Sequence, residues 1–270
     1  MHAMSSRHDR QSMCPRRVLV ATALGDEAAG SLRVASARAA ACGAELALCH
    51  VGRCDRRQVT EHALGALGDG GLSCDVFVER GDVAPSIAHR ASSWSADLVV
   101  VGGAKQGQGA ASRQWQSDVG LDIVRRSPCS VLVTRHTPGT GRIVVGTDLT
   151  ETSIDVVRAA RAEQERTGAA ATLVHCVPCS WIPGEGYPDR RELERVFLPR
   201  IALAAAAAGL RSEPRLVFGS PAEGLADVAT ELAADLIVVG GRSLARRRAS
   251  PAGIAERVAR DASCAVLVVK

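Results

Sequence analysis

Short apolar runs rich in β-branched residues recur along the chain, separated by Ala-rich stretches whose apolar positions return every three or four residues. The first set of runs lies near Arg17–Ala23, Glu45–Val51, Cys74–Glu79, Asp97–Gly102 and Ser130–Arg135. They are apolar on both faces, which suits central strands of a parallel sheet covered by helices on either side. Between them, Ser31–Cys42 and Val83–Ser93 carry helical spacing. The alternation then starts again. Strands are expected near Arg142–Thr147, Ala171–Val177, Arg215–Phe218, Asp235–Gly240 and Ala265–Val269, and helices near Thr152–Thr167, Leu193–Ala208, Pro221–Ala233 and Pro251–Asp261. Pro221 suits the first turn of its helix, where no backbone donor is needed. The Gly65–Gly71 and Arg211–Arg215 stretches read as plain turns.

The two halves are copies of one another. Val18-Leu19-Val20-Ala21 returns as Ile143-Val144-Val145-Gly146, and His50 returns as His175, both 125 residues later. Ala96-Asp97-Leu98-Val99-Val100-Val101-Gly102-Gly103 returns as Ala234-Asp235-Leu236-Ile237-Val238-Val239-Gly240-Gly241, now 138 residues later. Cys129-Ser130-Val131-Leu132-Val133 returns as Cys264-Ala265-Val266-Leu267-Val268, at 135. The second copy therefore gains 13 residues between its second and third strands and loses three after Gly241. Strand–helix alternation with right-handed crossovers predicts an α/β fold: two tandem, doubly wound, parallel five-stranded domains. The expected boundaries are a disordered tail over 1–15, a first domain over 16–135, a linker over 136–141 and a second domain over 142–270.

Composition narrows the function classes. A length of 270 residues fits about two domains, and 46% hydrophobic with 23% charged residues is ordinary for a globular chain. Aromatics make up only 3%, so the cores must be built from Ala, Val, Leu and Ile. The net charge is +4, and neither half carries the basic excess of a nucleic-acid module. No stretch approaches the roughly 18 to 20 apolar residues that span a bilayer, so no membrane partner is expected. The polar N-terminus lacks a secretory core, and the nine cysteines are odd in number and scattered through apolar segments. Both features fit a cytoplasmic protein with reduced thiols.

The ordered landmarks carry a resemblance. A first strand runs into an Asp (Val145-Gly146-Thr147-Asp148), strand two ends in His50-Val51, and strand four ends in the repeated Ala-Asp-Leu block. Ser127-Pro128-Cys129-Ser130-Val131-Leu132-Val133-Thr134 closes the first copy, and Ser263–Val268 echoes it. Each copy resembles a universal stress protein domain of the wider adenine-nucleotide-hydrolase-like group, and the resemblance covers Arg16 to Lys270. It implies a non-enzymatic stress-response module with no catalytic residue and no metal. Single-domain members commonly dimerise through their last strand. The resemblance thus implies that Val131–Arg135 and Ala265–Lys270 face one another across a pseudo-two-fold axis, as an intramolecular pseudo-dimer, with homodimerisation of the whole chain and an unknown protein partner left open.

Some members bind ATP or AMP through a glycine pattern after strand four (Gly, two residues, Gly, nine residues, Gly, then Ser or Thr), because backbone N–H groups must approach the phosphates closely. The first copy departs from it: Lys105 takes the second glycine position, Ser117-Asp118 stands where Gly-Ser is expected, and Ala23 replaces the strand-one Asp. An Asp118 carboxylate repels phosphate, so this site reads as degenerate. The second copy keeps Asp148, but Ser243 takes the second glycine position and Ala252-Gly253 replaces Gly-Ser. Two readings of its loop stand: Arg246-Arg247-Arg248 grip phosphates in place of the backbone cradle, or they are solvated surface. No cofactor is fixed by the residues, and the resemblance points to ATP or AMP in the second copy. The implied contacts are Thr147 and Asp148 after strand one, Cys176 and Val177 ending strand two, Gly240, Gly241, Arg242 and Ser243 after strand four, and Gly253 at the last helix.

Two further readings compete. One is an ATP-hydrolysing or autophosphorylating enzyme using Asp148 and the Gly240–Ser243 loop. The other is a thiol or metal sensor through Cys176-x-x-Cys179, although Cys176 closes a strand while redox pairs favour a helix N-terminus. The insertion within Pro178–Arg190 gathers Trp181, Ile182 and Tyr187 and reads as a loop that packs on its own domain or contacts a ligand or partner.

Overall fold

The computed structural model describes residues 14–24, 28–67, 74–102, 119–135, 139–178, 189–241 and 253–270. The tail expected over 1–15 lies almost wholly outside these residues, as do Lys105, Ser117, Asp118, Cys179, Arg242, Ser243, Arg246–Arg248 and nearly all of the insertion. The chain divides into two compact units, the first up to His136 and the second from Thr137.

The first unit contains β1 (Arg17–Ala21), α1 (Ala28–Cys42), β2 (Glu45–Val51), α2 (Arg56–Leu67), β3 (Asp75–Glu79), α3 (Val83–Ser93), β4 (Leu98–Gly102), a helix α4 over 119–126 and β5 (Ser130–Thr134). Its strands are parallel, in the order β3-β2-β1-β4-β5. Val18, Leu19 and Val20 of the central strand are fully buried, since helices cover both faces.

The second unit contains β6 (Arg142–Thr147), a 3₁₀ turn (Glu151–Ser153), α5 (Ile154–Thr167), β7 (Ala170–Val177), α6 (Arg190–Ala208), β8 (Ser212–Phe218), α7 (Pro221–Glu231), β9 (Leu236–Gly240), α8 (Ile254–Asp261) and β10 (Ala265–Val269). The sheet order is β8-β7-β6-β9-β10, again parallel, with β6 central. Helices α5 and α6 pack together against β6, β7 and β8, while α7 and α8 pair against β6, β7 and β10. Gly168 ends α5 in the left-handed conformation (φ 71°), its N–H returning to the Gln164 carbonyl.

One anchoring device is built twice. At the start of β4, Asp97 Oδ2 accepts the backbone N–H groups of Arg16 and Arg17 at 2.8 and 3.0 Å. At the start of β9, Asp235 Oδ1 accepts those of Gly139 (2.6 Å) and Thr140 (3.3 Å), and its Oδ2 that of Gly141 (2.6 Å). Each aspartate thereby fixes the chain entering the central strand of its own sheet.

Three local expectations need correction. The Gly65–Gly71 stretch is not a plain turn: α2 runs to Leu67, a polar helix that buries only Val59 and Ala63. Arg211–Arg215 is not a turn either, because β8 begins at Ser212 and pairs with β7 from Ala171 onward. Pro214 is accommodated there since β8 is an edge strand of its unit's sheet, where a missing donor is tolerated. The helix expected from Thr152 starts at Ile154, after the 3₁₀ turn.

Candidate functional site

The central strand β6 has β7 on one side and β9 on the other, so the connections diverge at its carboxyl end and leave a crevice there. In the second unit this crevice is a cleft of about 220 Å³. The strand ends contribute Gly146, Thr147, Val174, His175, Val239, Gly240 and Val269. Asp148, Thr152, Ser153, Asp155 and Val156 come from the segment entering α5, Pro221 and Leu225 from α7, and Gly253, Ile254 and Ala255 from the start of α8.

Hydrogen bonds among hydroxyls organise the β6 end. Thr147 is 8% and Ser153 9% exposed. Ser153 Oγ donates to the Thr150 carbonyl at 2.8 Å, so in the 2.9 Å pair between Thr147 Oγ1 and Ser153 Oγ the threonine is the donor. Thr147 Oγ1 also accepts the Leu149 N–H at 3.0 Å. That bond helps hold Leu149 in the left-handed region (φ 58°), a strained setting for a leucine. Asp148 is exposed, and its Oδ1 accepts both the N–H (3.0 Å) and the Oγ1–H (2.6 Å) of Thr150. Since a carboxylate only accepts, Thr152 must be the donor in its 2.8 Å pair with Thr150 Oγ1.

The β7 end is set by a histidine. His175 Nδ1 donates to the Thr147 carbonyl at 2.9 Å, and the ring stacks on Phe197 of α6 with centroids 5.0 Å apart. His50 makes the same bond to the Thr22 carbonyl at 3.0 Å in the first unit, so this contact belongs to the scaffold of both copies. Beside His175, burial pushes the Cys176 thiol up to about 11, which keeps it protonated near neutral pH. Its sulfur points at the Pro221 carbonyl, 3.9 Å away.

Of the residues proposed from sequence, Thr147, Asp148, Cys176, Gly240 and Gly253 line this one cleft. Val177 is buried in β7 and is not among the lining residues. Gly241 is buried beside the cleft, with its N–H given to the Val269 carbonyl at 2.7 Å. Arg242 and Ser243 fall outside the described residues. Thr152, Ser153, His175, Leu225 and Ile254 were not proposed from sequence. Only the first two carried a local signal: the hydroxyl run Thr147, Thr150, Thr152, Ser153 around an aspartate.

The first unit lacks this network. Between the first two strands the copies align without gaps, so Ala23 replaces Asp148, Gly25 replaces Thr150, Glu27 replaces Thr152 and Ala28 replaces Ser153. Thr22, the counterpart of Thr147, is 7% exposed, and its hydroxyl has no hydrogen-bond partner among the described residues. Among the described residues, no helix is long and apolar enough to cross a membrane, and no cluster of three His, Cys, Asp or Glu is placed to hold a metal.

No curated protein sequence matches this chain significantly. Among solved structures, a protein of Pseudomonas aeruginosa UCBPP-PA14 assigned to the universal stress proteins superposes with a TM-score of 0.71 at 18% identity, covering 96% of this chain and 94% of its own. A universal stress protein from Archaeoglobus fulgidus DSM 4304 gives 0.65 at 17% identity, covering 94% and 96%. A shorter one, from Archaeoglobus fulgidus in complex with dAMP, is 24% identical and covers 50% of this chain and 98% of its own, with a TM-score of 0.38. The model of the universal stress protein family matches twice, over residues 54–135 and 139–270. With two matches that together span most of its length, the chain belongs to the universal stress protein family.

Proposed function

We propose that the second domain binds an adenine nucleotide, ATP or AMP, and that the protein is a cytoplasmic, non-enzymatic stress-response module whose first domain has no working site. The observation that carries this reading is the cleft itself: at the strand switch point it joins the Asp148 and Asp155 carboxylates, apolar walls and a helix start that no described side chain caps. The described residues fit the group. Asp148 Oδ2 takes no hydrogen bond from them and is open to a hydroxyl or amino donor of a nucleoside, while Val156, Val174, Leu225 and Val239 supply apolar wall. Gly253 precedes α8, and among the described residues no side chain caps that helix, so its first-turn N–H groups support an anion such as phosphate there. Binding without turnover is supported by two polar side chains at the strand ends that serve the scaffold: His175 Nδ1 donates to the Thr147 carbonyl and Thr147 Oγ1 to Ser153. The free thiols of buried Cys49 and half-buried Cys176 support a reducing compartment.

The test is calorimetric titration of the whole chain with ATP and with AMP. Asp148→Ala is expected to weaken binding at least about tenfold, or about 1.4 kcal/mol, and Thr22→Val to leave it unchanged. Absence of both titration heat and co-purified adenine would overturn the reading. Steady release of ADP would replace it with the hydrolase alternative.

A further inference from the structure

Thr150 does not line the cleft, yet both of its donors converge on one oxygen of the residue that does. Its hydroxyl is in turn held by Thr152, which lines the cleft with Asp148. Hydrogen-bond direction runs one way along this chain, from the Thr152 hydroxyl to the Thr150 hydroxyl to the Asp148 carboxylate, because the carboxylate at its end can only accept.

Resting on the nucleotide reading above, we infer that Thr150 is the positioning residue for Asp148, and that the Thr152–Thr150 relay makes this end of the cleft accept hydrogen bonds only. Three consequences follow from the bond directions. Oδ1 is occupied twice by Thr150, so the carboxylate cannot swing freely and Oδ2 is the oxygen presented to a ligand. The Thr152 proton is committed to Thr150, so Thr152 Oγ1 meets a ligand with its lone pairs. Asp148 and Thr152 together therefore select a ligand part that carries donors, such as a sugar diol or an amino group, and repel a phosphate or carboxylate. The relay thus orients a nucleotide as well as binding it, keeping its anionic part toward the start of α8. The first domain has Ala23, Gly25 and Glu27 at the three positions and keeps none of the relay.

The experiment is calorimetry with ATP on the full chain, comparing wild type, Thr150→Val, Thr150→Ser, Asp148→Ala and the Asp148→Ala/Thr150→Val double variant, with circular dichroism to confirm folding. Thr150→Val removes one of the two bonds to Oδ1 and should weaken binding roughly three- to tenfold. Thr150→Ser keeps the hydroxyl and should restore wild-type affinity. In the Asp148→Ala background the valine change should add nothing, since a positioning residue acts only through its target. If wild type and Asp148→Ala behave as stated above but Thr150→Val binds like wild type, the relay is overturned and nucleotide binding stands. Additive losses in the double variant, or a serine variant as weak as the valine one, overturn it too. A wild-type chain that binds no ATP overturns the nucleotide reading, and the relay with it.

Discussion

Thr147 and Thr22 hold equivalent places in the two domains, yet valine should destabilise at Thr147 and not at Thr22. Valine keeps the shape of threonine and removes only the hydroxyl. At Thr147 that hydroxyl donates to Ser153 and accepts the Leu149 N–H, in a site 8% exposed. Its removal leaves a buried serine oxygen without its donor and frees the backbone that holds Leu149 in a left-handed turn. Loss of two buried bonds of this kind costs about 1–3 kcal/mol. At Thr22 the hydroxyl is buried and has no partner among the described residues. A buried hydroxyl that gains no bond from the described residues carries a desolvation cost, so a methyl in its place should be neutral or stabilising by up to about 1 kcal/mol. Urea denaturation followed by far-UV circular dichroism gives the two stabilities, and hydrogen exchange assigns each change to its domain. Faster exchange at the Leu149 amide in Thr147→Val would locate the loss. The reasoning is refuted if Thr22→Val destabilises its domain as much as Thr147→Val destabilises the other.

Two further outcomes are expected. Asp235→Ala deprives three backbone N–H groups of their acceptor and should lower stability by about 1–3 kcal/mol, more than Asp97→Ala, which serves two; thermal melts of both variants decide the order. Burial, reinforced by the Glu79 carboxylate, pushes the Cys49 thiol up to about 12 from an ordinary value of 9.0. The unfolded chain then releases this proton near pH 9 and the folded chain near pH 12, so the associated stability is complete below pH 9 and lost as pH rises between those values. Urea midpoints measured from pH 8 upward should fall, and Cys49→Ala should flatten the slope; an unchanged slope in that variant refutes the burial account.

Strands with unmixed apolar content were legible from the sequence almost to the residue, and β6 and β10 match the expected Arg142–Thr147 and Ala265–Val269. Helix α3 matches Val83–Ser93 because Ala84, Ile87 and Ala91 repeat on one buried face. Helix α2 escaped notice because Val59 and Ala63 are its only buried positions, too few to set a period, and Gly65 sits near its end. The early start of β8 was hidden by Pro214, which argues against a strand everywhere except at an edge. In the cleft, Thr147, Asp148, Cys176, Gly240 and Gly253 were legible because the family resemblance ties contacts to the ends of strands one, two and four and to the start of the last helix. The repeat of His50 as His175 was legible, and both bond a strand-one carbonyl, although His175 also lines the cleft. Leu225 and Ile254 could not be read, since their roles arise from helices that fold back over the strand ends and leave no mark in local spacing.

Pro214 has a consequence for how this protein keeps to itself. An outer strand ordinarily offers its unused amides and carbonyls to any extended peptide that drifts past, and stacking by that route is how many sheets turn into fibres. Here β8 carries Glu213-Pro214-Arg215 in its first half: one amide proton is missing, and a charge of each sign stands beside the gap. An incoming strand would find the ladder broken there and would have to bury one of those charges to continue. The residue that obscured β8 in the sequence is also what makes its edge a poor template for fibre growth.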